Sequence, residues 1–571
     1  MSQAALGIHA TARATRAAAD IWLTAARCRL ALLLVVTLIA ATHILYLFID
    51  CPVDLAEDEA YYWDWSRHLD YGYYSKGPLT PALIRLSCCV FGDTMPAVRL
   101  PAIFLRAGAA ICAWSLTYRL LRSPRLALGA VLLGYIAPIF LPAGLVMTTD
   151  PPFLFLWALA CCVAAKAIED DSQGKAALPH DHGRTECGPP GRIWLLVGAV
   201  VGLGFMAKFS MPVWLIGLAA FLWLGRIPRP LPRLLTTIAG FVPFAIPAIL
   251  WNIRHDWVTL RHVGEDVGVV DGGFSFGNLW DLWLGQLGVV GPGLFLLMLV
   301  ATGAAIRRAR STRTPPQERM AILQLLCFGL PIFLGVILTT LRQHPSASWP
   351  MASYFTLTIL AAWFISRCHS DPSHWRFWRW LVYPSVITGA VLVLAAHRTD
   401  LLYPMLGRLD RAVPRLHLSV KTDPTHRLHG WQSIGQQAQE QLRRLPDGSM
   451  VLAFDYQTTA ELAFYIEGHP RTWCVGSYAA DPARREPFSQ YDIWPDRRLD
   501  PESAAQSGLA GKSAIYLGPM LPELRAAFDR VEPLADMVAI QGGMEVRRIS
   551  AWRCEGFRGL RWPGWQGRYN K

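Results

Sequence analysis

Charge is scarce in this chain of 571 residues. Asp, Glu, Lys and Arg make up 17% of it, where soluble globular proteins carry about a quarter. Hydrophobic residues reach 53% and the mean hydropathy is +0.28, which excludes an ordinary soluble enzyme and points to a polytopic membrane protein. Metal-ligand spacing is missing among the 12 Cys. Cys88-Cys89 and Cys161-Cys162 are adjacent pairs inside apolar segments and read as small buried hydrophobes. Cys474 and Cys554 lie in a polar C-terminal region and are expected to pair if it faces an oxidising compartment. RNA- and DNA-binding motifs are also missing, so no nucleic-acid partner is expected. The net charge of +12 is assigned to Lys and Arg in cytoplasmic loops. No internal repeat is evident. No small-residue cleavage site follows the first apolar run, so residues 1–29 read as a cytoplasmic tail and the run as an uncleaved span.

What is abundant is apolar sequence in long runs. They fall at 30–48, 97–118, 126–146, 151–168, 193–207, 211–224, 234–251, 278–305, 320–341, 350–366 and 380–396. This predicts about eleven spans near the ~20 residues a membrane helix needs, with 193–207 and 211–224 short for the task. The linkers alternate in charge. Arginines cluster at Arg13 to Arg29, Arg119 to Arg125, Arg226 to Arg233, Arg307 to Arg319 and Arg367 to Arg379, and the polar 166–192 linker falls in the same register. The positive-inside rule makes these loops cytoplasmic. The N-terminus is then inside, and the 50–96 loop and the C-terminus are outside.

The 30–396 portion is thus expected to be the membrane domain, with 50–96 as its first outer loop. Residues 57–69 and 79–91 of that loop read as amphipathic helices lying in the interface, joined by the turn Gly72 to Pro78. From 397 to 571 the pattern changes to a soluble α/β domain. Strands are expected at Met450 to Phe454 and Ser513 to Leu517, and helices at Ile434 to Arg444 and Pro522 to Val531.

The densest chemistry lies in the stretch Asp54 to Leu79. It holds the carboxylates Asp54, Glu57, Asp58, Glu59 and Asp64, seven Tyr and Trp, and a lysine in the turn Ser75-Lys76-Gly77-Pro78. On this topology it shares one membrane face with Asp150 in MTTDPP, Lys208 in MAKFSMP, His255 in WNIRHDW, and Arg342 and His344 in RQHPSASWP. Ionisable groups near apolar spans are costly and usually have a partner or a task. Each also has a plainer reading. Asp150 before Pro151-Pro152 suits an N-cap, Lys208 suits a snorkelling lysine, and Lys76 suits an exposed turn. His255 and His344 each suit a structural role.

Their shared face favours chemistry. A carboxylate deprotonates an acceptor hydroxyl, and lysines or arginines hold a departing phosphate. Aromatic rings, Tyr61 and Tyr74 among them, stack on a sugar or on prenyl units. That set fits glycosyl transfer from a polyprenyl-phosphate sugar. A transporter or flippase of lipid-linked sugars is the alternative, but transporters place ionisable groups at mid-bilayer on broken, repeated helices, and here they cluster at span ends.

The motifs DEAYYWDWSRHLDYGYYSKGPL, VMTTDPP, MAKFSMPVW, PAILWNIRHDWVTLRHV, GQLGVVGPGLF and SASWPMASY run in order from about residue 54 to 356. Together they resemble the bacterial branch of the protein O-mannosyltransferase superfamily, which includes aminoarabinose transferases acting on lipid A. ELAFYIEGHP and SQYDIW resemble the tails of many bacterial members. The resemblance implies a type-C glycosyltransferase fold in the bacterial inner membrane, with its active site and C-terminal domain in the periplasm. The implied donor is a polyprenyl-phosphate sugar, the acceptor a lipid, glycan or protein, and the stereochemistry inversion. By position in the motifs, Asp58 matches the family's first-loop aspartate, the candidate base, accompanied by Glu59. Asp150 matches a second acidic position, and Lys76 and Lys208 match expected donor-phosphate ligands. SKGPL departs from the commoner Pro-Pro version. Some relatives bind a metal near that place, and Ser75 is a poor ligand, so no metal or other cofactor is expected.

Overall fold

In the computed structural model the described residues are 3–172, 191–266, 275–344, 346–413, 420, 423, 425–476 and 489–561. Most of the expected 166–192 linker lies outside them. Among the described residues, eight helices are long and apolar enough to cross a membrane. A ninth is counted if Pro124–Ile136 and Pro138–Leu145, bent by 76°, form one span. The count of eleven therefore exceeds what helix length supports. The expected spans at 193–207 and 211–224 are the helices Ile193–Ala207 and Val213–Leu224, of 15 and 12 residues, short of the ~20 needed. The expected 278–305 span is broken at Gly291, whose φ of +91° suits glycine, into Gly277–Val290 and Pro292–Arg310.

The bundle is layered by burial. Met351–His369 is its centre, with 83% of its most apolar window inside the protein, whereas Thr24–Ile49 and Pro372–His397 have 22% and 17%. Leu33, Leu34, Leu38, Ile387 and Leu394 on those outer helices are exposed and apolar, as a lipid-facing surface requires.

The first loop folds as expected into two helices, Glu57–Ser66 and Leu79–Phe91, but they differ in setting. Leu79–Phe91 keeps Leu86, Val90 and Phe91 exposed, consistent with an interfacial face. Glu57–Ser66 does not lie open in the interface, because every residue from Glu59 to Ser66 is buried. Its Trp63 and Trp65 share a core with Ala460, Phe464, Tyr491 and Trp494 of the C-terminal region. The aromatic stripe that reads as a membrane belt is the seam between two parts of the chain.

The C-terminal region contains a five-stranded sheet in the order β2-β1-β3-β7-β4, from β1 (Met450–Ala453), β2 (Thr472–Cys474), β3 (Ala514–Leu517), β4 (Phe528–Pro533) and β7 (Ala551–Phe557). A separate hairpin pairs β5 (Met537–Gln541) with β6 (Met544–Ile549). β1 pairs in parallel with β2 and β3, and β1 and β3 are buried throughout, as parallel strands covered on both faces must be. The helix expected over Pro522 to Val531 ends at Ala526, and its second half is β4. There Phe528 and Val531 keep the i, i+3 spacing of a helix, but the backbone pairs antiparallel with β7, Phe528 opposite Phe557 and Val531 opposite Cys554, so tertiary pairing overrides the local pattern. Cys474 and Cys554 are both buried and are not joined by a disulfide. They sit on β2 and β7 with two strands between, about 14 Å of sheet, beyond the reach of a disulfide.

Candidate active site

Gly77 sets the site by lacking a side chain. Its backbone lies against the carbonyl of Met206 at the end of the helix Ile193–Ala207, where any Cβ would overlap it. Lys76 is thereby brought beside Lys208, the extended residue that ends that helix. Both line one cavity of roughly 340 Å³ with Ser75, Ser210 and Trp349, and its remaining wall is apolar, including Val213, Ile332 and Val336. Two cations thus stand beside an apolar wall at the helix ends, an arrangement chemically suited to an anionic head group on a hydrocarbon chain.

The turn that carries Lys76 is anchored on three sides. Tyr73 is fully buried, its hydroxyl donates to the carbonyls of Trp65 and His68, and its N–H donates to Lys76 O at 3.2 Å. Gly72 presses on the ring of Trp251, which donates from Nε1 to Asp70 Oδ2 at 2.9 Å. Thr259 donates to Tyr73 O at 3.2 Å. The motif WNIRHDW thus holds the first loop in place. His255 belongs to that scaffold: its ring stacks on Trp251 with centroids 4.0 Å apart, and its Nδ1 is 2.8 Å from Trp251 O.

Lys208 donates from Nζ to Asp150 Oδ1 at 2.6 Å and lies over the ring of Phe153. Asp150 is the first residue of the helix Asp150–Ser172, and its side chain engages Lys208. Asp58, on the first turn of Glu57–Ser66, is solvent-accessible but sits in a recess of the protein. Loss of hydration there is the largest influence raising its carboxyl above the usual aspartate range. Lys76 pulls it down, and Asp150 and Glu59 add to the rise. Asp58, Lys76, Asp150 and Lys208 therefore form one electrostatic unit drawn from three separate loops.

The structure separates the other sequence candidates from that unit. Glu59 is fully buried and spent: Oε2 accepts from Arg99 Nη2 at 2.8 Å and from Ala56 N–H at 2.9 Å, and Oε1 accepts from Met147 N–H at 2.7 Å. It fixes the backbone three residues before Asp150 and so positions that carboxylate. Tyr61 packs on Tyr456 and Tyr491, and its hydroxyl accepts from Gln490 N–H at 2.6 Å. Tyr74 meets the ring of His262, and its N–H donates to Gln490 Oε1 at 2.7 Å. Arg342 and His344 are exposed, with His344 Nε2 3.5 Å from Asp281 Oδ2; their loop reaches the cavity through Trp349. Among the described residues, no cluster of three or more His, Cys, Asp or Glu is placed to hold a metal.

Arg99, the partner of Glu59, was hidden inside a predicted span, although an arginine in an apolar run is itself a signal. Asp54 was also missed as a cap. Its carboxylate accepts from Trp431 N–H at 2.7 Å and so caps the helix Trp431–Leu442 across the seam.

The fold matches a solved structure. ArnT from Cupriavidus metallidurans, bound to undecaprenyl phosphate, matches with a TM-score of 0.58 over 91% of this chain and 97% of that one, at 15% identity. The chain has the type-C membrane glycosyltransferase fold. The same enzyme in its apo state gives a TM-score of 0.56 at 15% identity, over 91% of this chain and 97% of that one. Within the type-C fold, residues 75–178 match the family described as dolichyl-phosphate-mannose-protein mannosyltransferase. Lipid A galacturonosyltransferase RgtD of Rhizobium johnstonii is 27% identical over 320 residues, covering 55% of this chain and 61% of that protein's length.

Proposed function

We propose that this chain is an inner-membrane glycosyltransferase that moves a monosaccharide from a polyprenyl-phosphate donor to an acceptor hydroxyl at the periplasmic face. The observation that carries the reading is the cavity shared by Lys76 and Lys208, with apolar walls for a prenyl chain and Asp58 coupled to it electrostatically. Lys76 and Lys208 hold the donor phosphate and stabilise its charge as the sugar–phosphate bond breaks. The phosphate leaves as a stable anion, so the departure requires no strong acid. Asp58 takes the proton of the acceptor hydroxyl as that oxygen attacks, which gives inversion at the sugar carbon. Asp150 orients Lys208 through their 2.6 Å ion pair.

The likeness to the lipid A galacturonosyltransferase RgtD favours a lipid or glycan of the lipid A class as acceptor. The transferred sugar is a hexose or pentose. The test is binding of undecaprenyl phosphate to the purified protein in lipid nanodiscs. Lys76→Ala and Lys208→Ala are each expected to weaken it about tenfold, while His344→Ala, outside the cavity, leaves it unchanged. Equal affinity in all four proteins would remove the cavity from the donor site.

A further inference from the structure

The segment His426 to Trp431, from the C-terminal region, lies directly against the residues that lead into Asp58. Asp54 N–H donates to Leu428 O at 2.7 Å, and the Asp54 carboxylate accepts from Trp431 N–H at 2.7 Å. Arg547 of β6 locks this contact. It stacks on Trp431 at 3.6 Å, donates from Nη2 to Arg427 O at 3.0 Å and from Nε to His429 O at 3.3 Å, and places Nη1 3.9 Å from Glu57 Oε1. The backbone of Arg427 is thus tied through one side chain to the neighbour of Asp58. Its own side chain is exposed and makes no hydrogen bond or ion pair among the described residues. Its positive charge nevertheless acts on both Glu57 and Asp58.

A guanidinium with no partner of its own among the described residues, on a backbone fastened to the segment that leads into Asp58, is placed to read a substrate. The donor phosphate has its own cations in Lys76 and Lys208, which come from different elements. We propose that Arg427 is a specificity-determining residue that binds an anionic group of the acceptor, a phosphate or carboxylate near the hydroxyl presented to Asp58. The guanidinium fork suits bidentate recognition of either group. This rests on the glycosyl-transfer reading and adds to it that the C-terminal region selects the acceptor.

The test reads binding rather than turnover. Full-length protein in nanodiscs is titrated with lipid A carrying its phosphates and with the same lipid A after phosphatase treatment. Wild type is expected to prefer the phosphorylated form about tenfold. Arg427→Gln should erase the preference, Arg427→Lys should retain part of it, and Lys76→Ala should keep it. The proposal is overturned if wild type shows no preference, if Arg427→Gln keeps it, or if Lys76→Ala removes it, since the phosphate would then be read in the donor cavity. Titrating the same variants with undecaprenyl phosphate separates the two readings. There Lys76→Ala should lose affinity and Arg427→Gln should not, and a failure of that pattern counts against the donor site alone.

Discussion

Glu59 and Arg99 form an ion pair at 2.8 Å with side chains 0% and 1% exposed. Arg99 also donates to the carbonyls of Val53, at 3.1 Å, and Asp54, at 2.5 Å. One guanidinium therefore gathers the entry to the first loop, while Glu59 ties that loop to Met147. Removing one partner of a buried pair strands the other charge, at a cost of about 3–5 kcal/mol. Arg99→Ala should lower the unfolding midpoint in detergent sharply, and the double variant Arg99→Met with Glu59→Leu should recover part of it. A single variant as stable as wild type would contradict the role given to the pair.

Gly77→Ala should cost affinity out of proportion to one methyl group. The clash is with the Met206 backbone, which has no rotamer to escape into, so the turn must shift and take Lys76 with it. Undecaprenyl-phosphate affinity is expected to fall at least tenfold, by about 1.4 kcal/mol or more. Titration of the folded variant checks this, and wild-type affinity would show that the close approach does not place the lysine.

Much of this was legible in the sequence. Asp58, Lys76, Asp150 and Lys208 stand out because ionisable groups beside apolar runs are rare, and the arginine pattern put them on one face. The short runs 193–207 and 211–224 already signalled that those helices fall short of a span. Sequence cannot show whether an aromatic helix faces lipid or another part of the chain, because both environments reward Trp and Tyr. Glu57–Ser66 was therefore assigned to the interface, and Glu59 and Tyr61 to the chemistry. Their partners, Arg99 and Gln490, lie 40 and 429 residues away. The second half of Pro522 to Val531 was missed for another reason: Phe528 and Val531 are spaced as on a helix, and only pairing with the distant β7 makes the segment a strand.

The environment of Asp58 sets the sign of a pH dependence. Its carboxyl is raised above the ordinary aspartate value, chiefly by loss of hydration, and Lys76 opposes that rise. A base works only when ionised, so the acid limb of kcat/KM for the acceptor should lie above the ~3.9 of a free aspartate. Lys76→Met removes an opposing positive charge and should move the limb to higher pH; Asp150→Asn removes a negative charge and should move it lower. Initial rates across pH at saturating donor measure both shifts, and a limb unmoved by either variant would detach Asp58 from the rate.

The central claim is that Asp58 activates the acceptor while the two lysines hold the donor. Its most direct test is turnover of a polyprenyl-phosphate sugar by Asp58→Asn, alongside its affinity for undecaprenyl phosphate. The account predicts a loss of turnover of about 10²-fold or more with donor affinity unchanged. Turnover within about twofold of wild type, against the 10²–10⁴ a general base contributes, would contradict it.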